Sequence, residues 1–441
     1  MMDYNQPVER VTADAPISHS APPTSNSDES AVLIRVENGD LNAVLEMAHN
    51  YYYGENGFEQ DGNKSFYWVQ RAVELLPKNA EAWHLLGLSY KDGIGTETDF
   101  QKAIDAFKSA ADLGNVESMS QLGEVYYFDA SDSEKHNCVE WLEKAHMHGD
   151  VYATELLGQL YRDGKYVPMD TPKAIQLFQE AAKKGDAVAA SMLANLYWRG
   201  EEVAEDIPRA NRYWTMAVDN GSDWEKALLY AGLAWFYGNG VEKDYVKARK
   251  ALSRIDINDE ANAILGSMCF EGVGGIVDRK EGEARLRKVF NSSDTALAAT
   301  AMNNLGLYFY NSSNITEAIS LFKRAIEKGS SDARVNLGNA YLNGRGVPKS
   351  IDNALYQYRM AAQQGNEAAT QNLNTLSQST DPNQRSSGTA YSKPQKKRHR
   401  VRGGILGAIV GFVIASILGQ PTTILGEIII LIGIAIGIWI G

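Results

Sequence analysis

Cysteine is scarce: the chain has two, Cys138 and Cys269. They stand 131 residues apart in a sequence whose order is local, which argues against a disulfide between them. Positive charge is scarce too, and the net charge is −12. Six cations are concentrated at 393–402, namely Lys393, Lys396, Lys397, Arg398, Arg400 and Arg402, so the remaining body is more acidic than the total suggests. An acidic body repels nucleic acid, whose binding depends on neutralising phosphates, and no nucleic-acid partner is expected. Met1 to Ala31 is polar and lacks the apolar core of a secretory signal, which places the body on the cytosolic side.

Catalytic signatures are missing as well. No P-loop, dinucleotide fingerprint, nucleophile elbow or zinc-protease helix is visible. The sequence is read as a non-enzyme without a cofactor.

What the chain does have is a repeat. A Leu-Gly pair returns at Leu86-Gly87, Leu122-Gly123, Leu157-Gly158, Leu265-Gly266, Leu305-Gly306 and Leu337-Gly338, with Leu193-Ala194 and Ala231-Gly232 filling the gap. Three residues later stands a large side chain: Tyr90, Tyr126, Tyr161, Tyr197, Trp235, Cys269, Phe309 or Tyr341. Six residues after the pair a glycine is usual, as at Gly93, Gly164, Gly200, Gly238, Gly272 and Gly344. Further on, small residues lie seven apart, as in Ala103/Ala110, Cys138/Ala145, Ala174/Ala181, Ala210/Ala217, Ala318/Ala325 and Ala354/Ala361. Such pairs are missing near 241–256 and 277–292.

Spacings of three, four and seven put residues on one helix face. Small residues two turns apart let a neighbouring helix approach closely, and the glycines supply left-handed helix ends. Asp170-Thr171-Pro172 marks a helix start, as do Asp206 and Pro208. Each unit therefore reads as helix, turn, helix, turn. One pair cannot bury its own apolar face, so the pairs stack. The Gly-x-Gly pieces, such as Gly93-Ile94-Gly95, stay in phase with the turns and are structural.

The segment from Ala333 through Leu337-Gly338, Tyr341, Gly344 and Gly346 to Ala354, Ala361 and Gly365 resembles the Sel-one-like repeat family, relatives of the tetratricopeptide repeats. The resemblance covers about 80–366 in eight units, with a more tetratricopeptide-like unit near 40–79. It implies an all-α fold, a right-handed superhelical solenoid of helix pairs. The expected organisation is a disordered 1–29, N-terminal helices over 30–79, repeats over 80–366, a capping helix at 367–379 and a flexible basic linker at 380–402.

Metal-binding residue types gather at His136, Cys138, His146 and His148. Cys138 and His146, however, fall in the small-residue register of the second helix, and His148 suits a helix C-terminus. No metal site is read here.

After the repeats, 403–426 and 428–441 carry no charged side chain, and Pro421 divides them. Two helices of roughly 17 residues span about 25 Å each, slightly short of a ~30 Å hydrocarbon core. This suggests a transmembrane hairpin over 403–441, with the cations before it holding both ends in the cytosol; a shallow re-entrant insertion is the alternative. Gly403, Gly407 and Gly411, and again Gly433, Gly437 and Gly441, form stripes for close packing within the hairpin or between copies. Glu427 reads as an interfacial residue at the far headgroups.

By the resemblance, the first helix of each pair lines a concave groove. Tyr127, Phe128, Tyr152, Glu155, Gln159, Arg162, Asn195, Trp198, Lys226, Phe236 and Tyr237 are then candidates for contacting a partner protein or peptide. The expected function is a membrane-tethered scaffold. A pore-forming or secretion-associated role for the hairpin, and a toxin-neutralising role known from bacterial relatives, are the competing readings.

Overall fold

The computed structural model describes residues 27–131, 133–312 and 314–380. The basic linker, the hairpin with its glycine stripes, and Glu427 lie outside the described residues.

All secondary structure in the described residues is helical. A first helix, α1 (Ser27–Glu37), is followed by nine pairs. These are α2 (Leu41–Tyr53) with α3 (Gly62–Leu75), α4 (Ala80–Asp92) with α5 (Phe100–Asp112), and α6 (Val116–Phe128) with α7 (Asn137–Met147). Next come α8 (Val151–Asp163) with α9 (Thr171–Lys183), α10 (Ala187–Arg199) with α11 (Ile207–Asp219), and α12 (Glu225–Tyr237) with α13 (Tyr245–Ser253). The last are α14 (Asp259–Glu271) with α15 (Arg279–Lys288), α16 (Thr295–Ser312) with α17 (Ile315–Glu327), and α18 (Ser331–Asn343) with α19 (Ile351–Gln363). The helix α20 (Glu367–Thr380) closes the run.

The helix ends follow from the sequence. Asp99, Asp170, Asp206, Asp244 and Asp278 each accept a hydrogen bond from the backbone N–H three residues on, which satisfies a donor left free by the helix. Gly164 ends α8 with φ at 64°, a conformation that costs a side chain but not glycine. A second device recurs at the first four of these starts. The cation three residues after the N-cap lies over the aromatic ring that follows the Leu-Gly pair. Lys173 Nζ is 3.7 Å from the Tyr161 ring centre, Lys247 Nζ 5.0 Å from Trp235 and Arg209 4.7 Å from Tyr197.

The glycine of the Leu-Gly pair marks where the two helices of a pair cross. A Cβ on Gly158 would lie 2.6 Å from Phe178, one on Gly338 2.6 Å from Tyr358, and one on Gly232 2.7 Å from Leu252. The large residue on the second helix takes the volume that the glycine leaves.

Where the small-residue pair is missing, the second helices are short. α13 has 9 residues and α15 has 10, against 13 in most of the others. Ile255 and Val289 are buried at the second small-residue position of these two units, and Gly282 stands at the first position of the later one. Arg285 braces the region: its guanidinium donates to the Ile255 carbonyl at 2.6 Å and to Asn262 Oδ1 at 3.0 Å.

The described residues form two compact units, divided within α10 between Ala189 and Ala190. In the first, Phe107, Leu122, Leu142, Leu157 and Leu160 belong to one core. In the second, Leu286, Phe290, Met302, Leu305, Phe322 and Leu337 do so.

Candidate partner-binding face

Within each unit, side chains tie first helices directly to one another. In the first unit, the Tyr52 hydroxyl donates to Asp92 at 3.1 Å, linking α2 to α4. Lys91 donates to Gln121 at 2.6 Å and pairs with Glu124 at 3.4 Å, linking α4 to α6. Ser120 donates to Asp150 at 2.9 Å, where Asp150 caps α8. In the second unit, Lys226 donates to Asn195 at 2.6 Å, Tyr308 to Glu271 at 3.2 Å and Asn336 to Asn303 at 2.8 Å. These bonds run from α2 to α8 in the first unit, and join α10 to α12 and α14 through α16 to α18 in the second, giving each unit a polar-aromatic face on its first helices.

The candidate residues fall on this face with unequal access. In the first unit, Phe128 is 53% exposed and packs edge-on against Tyr127, whose ring also carries Lys165 Nζ at 4.1 Å. Tyr152, Gln159 and Arg162 are half-buried. Glu155 is 4% exposed, its carboxylate accepting from Gln159. Arg162 donates to the adjacent Asp163 at 2.7 Å.

In the second unit, Asn195, Trp198, Lys226 and Tyr237 are half-buried. Phe236 is only 3% exposed, wedged against Tyr237 and Tyr245 with ring centres 5.0 and 5.6 Å away. As a partner contact it is corrected here to a core residue. The physical reason is that α12 is apolar almost all round, with every residue from Ala231 to Phe236 buried. Helical spacing gives no polar side from which to judge the outward direction.

The structure adds residues that sequence reasoning did not name. Trp198 lies against Tyr230 at 4.2 Å, Tyr230 stacks on Trp214 at 5.6 Å, and Trp214 meets Trp224 at 5.7 Å. Lys226 Nζ lies 5.5 Å from Trp214 and 5.6 Å from Trp224. Burial lowers its ammonium pKa below the ordinary lysine value, helped by the charge of Arg199. The signal was present in sequence as a high density of Trp and Tyr across 197–237.

Burial is also the main cause of the shifts at Cys138 and Glu260. The Cys138 thiol is pushed up to about 11 by its burial. Glu260 is raised to about 7, first by burial and then by the charge of Asp294. His146 Nδ1 is 2.8 Å from Thr154 Oγ1, and His148 Nδ1 lies 2.8 Å from the Lys144 carbonyl. Among the described residues, no group of three or more His, Cys, Asp or Glu is arranged to hold a metal ion. Nor is any described helix long and apolar enough to cross a membrane.

Helix pairs repeated in sequence order, with first helices bonded to first helices, define an α-solenoid repeat protein. The chain belongs to the Sel1 repeat family. Nine segments match, at 42–75, 80–115, 116–150, 151–186, 187–222, 226–250, 259–285, 299–330 and 331–366, together more than half of the chain. The unit at 42–75 is therefore a ninth repeat of the same kind, beyond the eight read from the Leu-Gly pairs. The matches are shortest where α13 and α15 are short.

An uncharacterized protein of Neisseria meningitidis is 31% identical over 96 residues, which are 22% of this chain and 19% of that protein. The rat DAP3-binding cell death enhancer 1 is 27% identical over 170 residues, 37% of this chain and 32% of its own. The chain thus spans between a fifth and a third of these curated relatives. A protective antigen of uropathogenic Escherichia coli, displaying an SLR fold, matches over 79% of this chain and 82% of its own, at 25% identity and a TM-score of 0.49. A Sel1 repeat protein of Oxalobacter formigenes matches over 73% of this chain and 99% of its own, at 22% identity and a TM-score of 0.38.

Proposed function

We propose that this chain is a membrane-tethered scaffold that holds partner proteins on the face of its first helices, with 403–441 as the tether. The observation that carries the reading is the set of aromatic and cationic side chains left partly open on that face. Phe128 is 53% exposed, and Tyr127, Trp198 and Lys226 are half-buried beside the bonds that tie helix to helix. Aromatics at such positions are favoured anchors because they offer large rigid contact area. Proteins built from these repeats generally mediate protein–protein interaction, and the name of the rat relative records binding to another protein. The tether rests on the charge-free runs 403–426 and 428–441 and the six cations before them.

The test uses the full chain as bait beside a Tyr127→Ala/Trp198→Ala chain of matched helicity and melting temperature. A partner enriched on the first and lost on the second supports the reading. Equal capture by both, or none by either, sinks it. For the tether, alkaline carbonate should leave the full chain in the membrane pellet and release a chain ending at residue 392. Release of both would refute the tether.

A further inference from the structure

The turn between α14 and α15 lies on the start of α13. The Arg249 guanidinium donates to the Ile276 carbonyl at 2.8 Å, and a Cβ on Gly274 would overlap the Tyr245 carbonyl. This contact brings two short apolar stretches to one edge of the second unit. Val246 is 66% exposed, Ile276 84% and Val277 50%. Single exposed aliphatics need no explanation, but three from two segments held together do.

The edge is also cationic, in a chain of net charge −12. Lys243 and Lys250 flank Val246 in sequence, and Arg279 and Lys280 follow Val277. Val246 and Lys250 are about one helical turn apart and share a face of α13. All four cations are exposed and in no ion pair among the described residues. Their neighbours are engaged: Lys247 pairs with Asp219, and Arg249 holds the turn. The nearby acids are mostly engaged too. Asp244 and Asp278 cap helices, and Glu281 and Glu283 pair with Arg285 and Arg287, which leaves Glu242 against the four cations. The corresponding turn two repeats earlier is opposite in sign, with Glu201, Glu202 and Glu205.

Exposed aliphatics bordered by free cations fit an anionic lipid surface. The branched side chains enter the boundary between headgroups and acyl chains, while the long cationic stems reach the phosphates. A protein partner is better met by aromatic anchors, such as those on the first helices. The acidic remainder of the body is repelled by the same lipid surface, so an edge of this kind sets orientation.

We propose that Val246, Ile276 and Val277, with Lys250 and Lys280 beside them, form an edge that lays the second unit on an anionic membrane surface. The inference rests on the tether reading above and adds how the body is turned toward the membrane. Each cation at such a surface contributes about a fivefold gain in partitioning.

The experiment reconstitutes the full chain into vesicles of phosphatidylcholine alone or with phosphatidylserine added. A nitrobenzoxadiazole fluorophore is attached at Ile276→Cys, and in a second preparation at Ile257→Cys. Cys138 and Cys269 are buried, so the label goes to the introduced thiol. Ile257 is 86% exposed but lies beyond the other end of α13, beside Asp256. The probe at 276 should shift to the blue on anionic vesicles only, and the probe at 257 on neither. In a Lys250→Glu/Lys280→Glu chain of matched melting temperature, the bilayer-bound fraction of the 276 probe should fall at least about tenfold. Flotation of the same samples reads the tether. A chain that floats with its 276 probe unshifted, shifted equally on neutral lipid, or indifferent to the charge reversals overturns the edge and leaves the tether standing. A matching shift at 257 also overturns the edge, because contact is then not confined to it. A shift without vesicles that grows with protein concentration assigns the edge to a second copy and overturns the lipid contact. A chain that floats with neither kind of vesicle overturns edge and tether together.

Discussion

A Cβ built on Gly158 would lie 2.6 Å from Cε1 of Phe178, and Phe178 is fully buried. The ring has no room to withdraw. Gly158→Ala should therefore destabilise the chain although alanine is the better helix former. Overpacking costs about 1–3 kcal/mol, against a propensity gain of ~1 kcal/mol. A lowered urea midpoint is expected, and Phe178→Leu in the Gly158→Ala background should restore part of it. An unchanged midpoint for Gly158→Ala would show that the crossing is looser than described.

Lys226 and Asn195 hold α12 to α10 through a 2.6 Å bond between half-buried groups. Lys226→Met and Asn195→Ala should each cost about 1 kcal/mol. The double variant should cost less than the sum, by a coupling of roughly 0.5–1 kcal/mol. Strict additivity in denaturation would mean that the bond contributes nothing.

The pH dependence of Glu260 has a definite sign. Its folded pKa is raised to about 7 from 4.5, by burial first and Asp294 second. The folded state then holds the proton more tightly than the unfolded state, so this group favours folding at low pH. Its contribution falls as pH rises from 4.5 and is lost above about 7. Tyr237 stays protonated throughout, since burial and Glu260 both raise its phenol. Glu260→Gln should match the parent below pH ~4.5 and exceed it above pH ~7, by at most about 2–3 kcal/mol. A parent as stable as the variant at pH 8 would mean that the carboxylate is already compensated.

Both thiols should be inert in the folded chain. Cys138 is fully buried with its pKa near 11, and Cys269 is 1% exposed, with its thiol also raised by burial. Thiolate is the reactive form, so both exposure and ionisation oppose attack. Ellman's reagent at pH 8 should titrate two thiols in 8 M urea and under about one tenth of that in buffer. Rapid native reaction of either cysteine would show that its unit opens locally.

The fold was legible because its signals are fixed in spacing. The Leu-Gly pair, the glycine six residues on and the paired alanines are dictated by backbone approach and helix ends, so they tolerate little change. The partner of the Leu-Gly glycine is different. Phe107, Phe178, Leu252, Leu286 and Tyr358 all stand 20 residues after their glycine, but the contact requires only bulk. Their type varies and no motif announces them. The clamp of Tyr161, Asp170 and Lys173 has a spacing that could have been found, because Tyr90, Asp99 and Lys102 repeat it. Side-chain access was the least legible. Phe236 and Tyr237 are neighbours in sequence, yet one packs into the core and the other carries an unsatisfied hydroxyl at the face. Glu260 showed nothing unusual in sequence, since its isolation depends on which charges fold away from it.

The bracing of α13 and α15 by Arg285 has a kinetic consequence. Elsewhere the second helices lock through alanines, whose contacts have little freedom to rearrange. Here a single guanidinium gathers the Ile255 carbonyl, Asn262 and Glu281. Such a hub is lost in one step when it breaks. Amide protons of 245–291 should therefore exchange with solvent earlier than those of 315–343, and Arg285→Met should widen that gap. The repeat array then carries its own site of first opening, set by the place where its periodic packing is replaced by a bespoke one.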